Sequence, residues 1–217
     1  MDVVFLIKLM SKLKETLELS FISCFMGALL GFLLGISLYK TRKNDKIIKK
    51  IFYSTINKII NIFTHLPFIF FSLFTVLIFE LFSKNNEKGG FICACFILTS
   101  YLTLVFAKKI EKMFIKNTKN YIFCLKKIIK NKNFISELTI QITSLFITGI
   151  CYSTIAGGSF GGNNEGGLGL GVIAYEQYKN DQGFNVLICF IVIVLTIQII
   201  YLIGNYLSQK IKINKNI

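Results

Sequence analysis

The chain has 217 residues, of which 53% are hydrophobic and 17% charged, with a mean hydropathy of +0.62 and a formal net charge of +14. Soluble domains hold about 45–50% apolar and about 25% charged residues, so this composition excludes an ordinary soluble domain. The excess of lysine falls between apolar runs, which suits membrane orientation rather than a folded basic surface for nucleic acid.

The first long apolar run covers 17–39 and exceeds the roughly 20 residues needed to cross a bilayer core. It is too long for the apolar core of a signal peptide and ends in Tyr39-Lys40-Thr41-Arg42-Lys43, so it reads as a retained helix. Ser23, Gly27, Gly31 and Gly35 recur every fourth residue in it. Small residues at that spacing form one smooth stripe, which lets a second membrane helix approach closely. The second span is predicted over 59–82 and contains His65 and Pro67, the only histidine and the only proline. Proline in a membrane helix kinks it and frees a carbonyl. Two readings stand side by side here: a kink that lines a pathway, or a plain bend with His65 near the interface.

The third span is predicted over 90–107. The fourth, over 134–156, carries Glu137, Gln141, Thr143 and Thr148, and the fifth, over 184–207, carries Gln198 and Asn205. An acid within a span is a functional candidate by default, although Glu137 lies near the span's end, where it can reach the interface. Between the last two spans, 157–183 is rich in glycine and reads as a non-helical external loop. The connectors after spans one and three and the C-terminal tail are rich in lysine, whereas the intervening loops carry only Lys84, Lys88 and Lys179. Five spans put the three basic segments on one side. The positive-inside rule makes that side the cytoplasm, with the N-terminus outside and the C-terminus inside. Lys8, Lys12 and Lys14 run against this pattern, and an amphipathic surface helix over 3–14 would accommodate them.

Catalytic signatures are missing. No phosphate-binding G-x-x-x-x-G-K-[ST] loop, His-Glu-x-x-His or G-x-S-x-G occurs, and Gly167-Leu168-Gly169-Leu170-Gly171 lacks the spacing and acidic partner of a dinucleotide site. The cysteines (Cys24, Cys93, Cys95, Cys124, Cys151 and Cys189) lie mostly in apolar stretches, where cysteine acts as a small hydrophobe. The pair Cys93 and Cys95 has no second ligand pair for zinc. The expectation is a non-enzyme with no cofactor and no metal, in contact with the lipid bilayer and not with nucleic acid.

Three stretches carry a family resemblance. Glu15-Thr16-Leu17 leads through Ser20-Phe21 and the glycine helix to Leu38-Tyr39-Lys40-Thr41. Asn61-Ile62-Phe63-Thr64-His65-Leu66-Pro67-Phe68-Ile69 is similar to N-I-x-R-S-[IV]-P-F-I. Tyr152-Ser153-Thr154-Ile155-Ala156-Gly157, followed by Gly166-Gly167-Leu168-Gly169, is similar to Y-S-A-M-A-G and G-G-L-G. Together they resemble the permease subunit of bacterial methionine-import ABC transporters. The resemblance implies a single all-α membrane domain over 1–217 of the type I importer permease kind, with about five transmembrane helices, in the cell inner membrane. It further implies a homodimer, a separate ATP-binding subunit that hydrolyses ATP, and an extracytoplasmic substrate-binding lipoprotein.

The same resemblance places the gate near the end of the fourth span, at Ser153, Thr154, Ile155 and Gly157, while the kink reading adds His65 and Pro67 to the candidate path and Phe68, with Ile155, would supply apolar contact in a pocket there. ATPase coupling would run through 108–133, with Lys109, Lys119, Phe123, Lys126 and Ile129. Departures from the family pattern are visible. The connector lacks the E-A-A…G docking motif, Thr64 and His65 replace Arg and Ser, and Asn163-Asn164-Glu165 is inserted in the glycine stretch. A permease for another amino acid, or a membrane protein that has lost ATPase coupling, therefore stays open beside a methionine permease.

Overall fold

The computed structural model describes residues 3–42, 46–73, 75, 89–117, 131–160 and 169–213; within these, the side-chain surroundings of 89, 90, 117 and 155–160 are not described. All regular structure among the described residues is helical: α1 Val3–Arg42, α2 Ile47–His65, α3 Gly89–Asn117, α4 Lys132–Phe160, α5 Leu170–Lys179 and α6 Gly183–Ile213. The chain is an all-α membrane protein. Among the described residues, four helices are long and apolar enough to cross a bilayer: α1, α3, α4 and α6. The last residues of the predicted second span, 76–82, lie outside the described residues.

α1 and α3 run parallel and form the central pair. Gly27 faces Leu102, Gly31 faces Phe106 and Gly35 faces Ile110, so the glycine stripe of α1 is the surface on which α3 lies. α4 runs antiparallel to both, pairing Ser153 with Ser20 near one end and Phe134 with Phe114 near the other. α6 packs antiparallel on α4, with Gly204 against Thr143 and Ser136 bonded to Ser208 at 2.7 Å. The main core gathers Leu19, Tyr39, Ile97, Leu98, Leu102, Phe106, Ile110 and Phe114 with Phe68 and Leu145. Outward, α6 exposes Leu187, Phe190, Leu195, Ile199 and Leu202. An apolar wall of that extent belongs in lipid or against another apolar chain.

Four expectations are revised. First, 3–14 is no separate surface helix but the first turns of α1, a 40-residue helix of about 60 Å that overshoots a bilayer core of about 30 Å. Phe5 and Leu9 are buried against Leu170, Ile173 and Cys189, so tertiary contact with α5 and α6 keeps this end helical. Secondly, α3 continues well past 107, because Ile110, Met113 and Phe114 keep the helical period on its buried face. Thirdly, Pro67 interrupts the predicted second span rather than kinking it. α2 ends at His65, Leu66 is extended at φ −67° and ψ 133°, and the chain is helical again over 68–73. The residue before a proline is pushed out of the helical region, and Pro67 then starts the next turn, accepting a hydrogen bond from Phe70 N at 3.0 Å. Finally, 157–183 is not a loop throughout: α4 extends to Phe160, and Leu170–Lys179 forms α5.

Candidate functional site

Two polar junctions stand out at opposite ends of the helix bundle. The first lies where the start of α1, the end of α4 and the return of the glycine-rich stretch meet. Ser20 Oγ donates to Ser153 Oγ at 2.9 Å and lies 2.7 Å from Thr16 O, and Ser153 Oγ donates to Ile150 O at 2.9 Å. Both serines are fully buried. The free amides at the start of α5 are taken up by α1: Leu170 N donates to Thr16 Oγ1 at 2.9 Å and Gly169 N to Glu15 Oε2 at 3.2 Å. A helix N-terminus has no intrahelical acceptor for these groups. Gly169 sits at φ 78°, where a side chain would also strike Thr16 Oγ1 at 2.7 Å. Gly171 lies so close to the Thr154 carbonyl that a Cβ cannot fit between them. The glycine pattern of this segment is thus used for close approach of α5 to α1 and α4.

Beside the serines lies an aromatic cluster. Phe68 stacks on Tyr152 with centroids 4.3 Å apart and meets Tyr101 edge-on at 5.2 Å, while Phe71 meets Tyr101 at 5.4 Å. The break at Pro67 makes this possible, since it starts a new helical segment with Phe68 and Phe71 on the side facing α3 and α4. The structure therefore brings together Phe68 and Ser153 of the expected path residues, through Tyr152. It does not bring His65 there: that side chain is exposed and its Nδ1 lies 2.7 Å from the Asn61 carbonyl oxygen one turn back. Pro67 is exposed, and Thr154 Oγ1 donates to Cys151 O at 2.7 Å. Ile155 and Gly157 lie on the last turns of α4, and their surroundings are outside the described residues.

The second junction is at the other end, where α1 stops and α2 begins. Glu111 of α3 is 2% exposed. It accepts from Tyr53 Oη at 2.7 Å and lies 3.4 Å from Lys108 Nζ and 3.8 Å from Arg42 Nη1. Lys108 also bonds Asn57 Oδ1. A buried carboxylate is tolerated only when paired and hydrogen-bonded, and here three helices contribute partners. Burial first, and then the hydrogen bond and charge of Glu111, push Tyr53 up from 10.0 to about 12, against the opposing effect of Arg42.

Sequence reasoning missed Glu111. The signal was an acid among the lysines of 108–116, at helical spacing from buried Ala107 and Phe114. Of the expected coupling residues, Lys109 donates to Ser144 Oγ of α4 at 2.9 Å. Lys119, Phe123, Lys126 and Ile129 lie outside the described residues. Nearby, Lys116 pairs with Glu137 at 3.1 Å, which takes that acid to the bundle's end.

The described side chains form no cluster of His, Cys, Asp and Glu able to hold a metal ion. Nor does any buried side-chain nitrogen or oxygen among them lack a hydrogen-bond partner. An apolar groove of about 380 Å³ opens between α1, α3 and α4, walled by Phe21, Phe25, Phe32, Phe106 and Phe146. Among the described side chains, none of the expected path residues lines it.

The overall arrangement of the helices recurs in chains of a known transporter. Two inward-facing crystal forms of the MetNI methionine ABC transporter contain a chain that superposes on it. The first matches with a TM-score of 0.77 at 21% identity, covering 97% of this chain and 99% of that one. The second has a TM-score of 0.79 at 22% identity over the same shares. The fold is that of a MetNI transporter chain. In sequence, 55 residues are 42% identical to the D-methionine transport system permease protein MetI of Escherichia coli K12, and the same holds for MetI of Yersinia pestis. These matches span 25% of this chain and 25% of each relative. No family model matches the chain.

Proposed function

We propose that this chain is the membrane-spanning permease subunit of an ATP-driven importer for methionine, forming the translocation path and leaving ATP hydrolysis to a separate subunit. The observation that carries the reading is the agreement of fold over nearly the whole chain with a methionine transporter chain. The local identity to MetI adds to it. On this reading the chain works as a homodimer in the cell inner membrane, served outside by a substrate-binding lipoprotein.

Orientation follows from charge. Arg42, Lys108, Lys109, Lys112, Lys116, Lys132 and Lys210 gather at the end of the bundle that holds Glu111. At the opposite end Lys8 pairs with Glu176 at 2.6 Å, Lys12 with Glu15 at 2.8 Å and Lys14 with Glu18 at 3.7 Å. A basic end and a mixed end favour a cytoplasmic Glu111 junction, an external α5 and an external N-terminus.

Alternating access needs a helix packing with two arrangements. The junction of Ser20, Ser153, Phe68, Tyr101 and Tyr152 joins four segments through small hydroxyls and ring faces, and on this reading it is the part that reorganises. Glu111 and Lys109 sit where motion of the ATP-binding subunit would enter the bundle through 108–133.

The test is uptake in cells lacking other methionine importers. Co-expression with its cognate ATP-binding subunit should yield a complex that co-purifies in detergent and drives ATP-dependent uptake of labelled methionine. Stronger competition by another amino acid would move the substrate within the same superfamily. Absence of both complex and uptake would sink the proposal. The missing E-A-A…G docking motif in 108–133 is the feature that favours that last outcome.

A further inference from the structure

α2 has two faces. Tyr53, Ile56 and Ile60 pack inward on α1 and α3. The other face carries Ile48, Ile51, Phe52, Ile59 and Ile62, all at the three- and four-residue spacing of one helical stripe and between 46% and 82% exposed. The depth of this stripe is unusual. Tyr53 bonds Glu111, which lies beside Arg42 and Lys108, so Ile48, Ile51 and Phe52 sit at or beyond the charged layer that ends the bundle. Large apolar side chains at that level have no place in water. Further along α2 the stripe continues at Ile59 and Ile62, nearer the middle of the bundle, and Ile69 and Phe70 beyond the break at Pro67 are exposed as well.

Charge then narrows the partner. Residues 46–66 contain Lys46, Lys49, Lys50 and Lys58 and no Asp or Glu. Lys49 and Lys58 are exposed and flank the stripe on either side. Their stems can lie along the apolar face while the ammonium groups reach outward. A helix with an apolar face and only basic flanks is suited to the interface of a leaflet bearing anionic headgroups.

We infer that the first half of α2 is an interfacial anchor that binds anionic phospholipid, burying Ile48, Ile51 and Phe52 below the headgroups and holding their phosphates with the flanking Lys49 and Lys58. The inference rests on insertion in a membrane and not on what the chain transports. It assigns α2 a role in tying the Glu111 junction to the leaflet, because Tyr53 and Asn57 on its inner face hold that junction.

The chain has no tryptophan, so single reporters are clean. The full-length Ile48→Trp and Phe52→Trp proteins are reconstituted in mixed phosphatidylcholine and phosphatidylglycerol vesicles in which one lipid or the other carries brominated chains at equal mole fraction. Phe190→Trp on the exposed wall of α6 serves as a bilayer reference. The expected result is quenching at 48 and 52 that is at least about twofold more efficient with brominated phosphatidylglycerol, while position 190 is quenched alike by both. Replacing Lys49 and Lys58 by glutamine should abolish the preference while leaving position 190 unchanged. Equal quenching by both lipids at 48 and 52 overturns the inference. So does absence of quenching there with position 190 still quenched, the result expected if a second copy or another protein covers this face.

Discussion

Replacing Gly35 by alanine separates two opposing effects. Alanine is favoured over glycine in a helix by about 0.8–1.0 kcal/mol, so a site with free space should gain stability. Gly35 has none. A Cβ there would lie 2.7 Å from Cβ and Cγ2 of Ile110 and 2.8 Å from the Ala107 carbonyl oxygen. Carbon atoms pack best at about 3.5–4.0 Å, so α1 and α3 must separate locally by roughly 1 Å or tilt. Two of the three opposing atoms cannot rotate away, because one is a Cβ and one is backbone. Overpacking of this kind costs about 1–3 kcal/mol, which outweighs the propensity gain and leaves Gly35→Ala destabilised by roughly 1–2 kcal/mol. Gly27 is the internal control. Its Cβ would meet Leu102 Cβ at 3.0 Å and the nearest backbone atoms at 3.5 Å, so Gly27→Ala should come out near neutral. Gly31, at 2.8 Å from the Thr103 carbonyl oxygen, should fall between them. The assay is thermal unfolding of the detergent-solubilised protein for the three single variants. Gly35→Ala at least as stable as the parent, or Gly27→Ala the most damaged of the three, would refute the packing argument.

The Glu111 junction gives a pH signature. Because Tyr53 is raised in the fold, its contribution is complete below about pH 10 and is lost as pH climbs toward about 12; Tyr53→Phe should lack this loss between the two values when unfolding is followed against pH. The same variant removes a hydrogen bond to a charged group and should cost about 1.5–3 kcal/mol at neutral pH, read from the unfolding midpoint. Thr16→Ala withdraws the acceptor for Leu170 N and should speed hydrogen exchange of the α5 amides by roughly fivefold, equivalent to about 1 kcal/mol, with α3 amides unchanged. Ser153→Ala should cost only about 0.6 kcal/mol, since the Ser20 hydroxyl can then turn to donate to Thr16 O, 2.7 Å away, whereas Ser153→Leu at that fully buried position should cost about 1–3 kcal/mol in the same unfolding measurement.

Much of the candidate site could be read before folding, and what escaped did so for identifiable reasons. Glu15-Thr16, Phe68 and Tyr152-Ser153 stood out as separate stretches. Their meeting depends on contacts between residues more than 80 positions apart, which no local pattern records. His65 drew attention as the only histidine, yet the turn that places Phe68 inward leaves His65 on the outside. Glu111 was hidden among lysines, because a lone acid in a basic helix reads as a solvated face until α2 is laid over it.

What the residues determine unaided is the solvent they require. Long apolar runs cannot stay in water, and the lysine-rich connectors between them set the polarity of the ends. The glycine repeat likewise marks where a second helix must come close. Which helix that is, how far α1 and α3 run past the bilayer, where Pro67 divides its span and why 170–179 is helical were decided only by tertiary contact. Each of these depends on a partner from elsewhere in the chain: α3 against the glycines, Leu170 and Ile173 against Phe5 and Leu9, and Glu15 and Thr16 under the first amides of α5. Hydrophobic pattern acts along the chain, whereas closure of a buried hydrogen bond requires both groups in place at once.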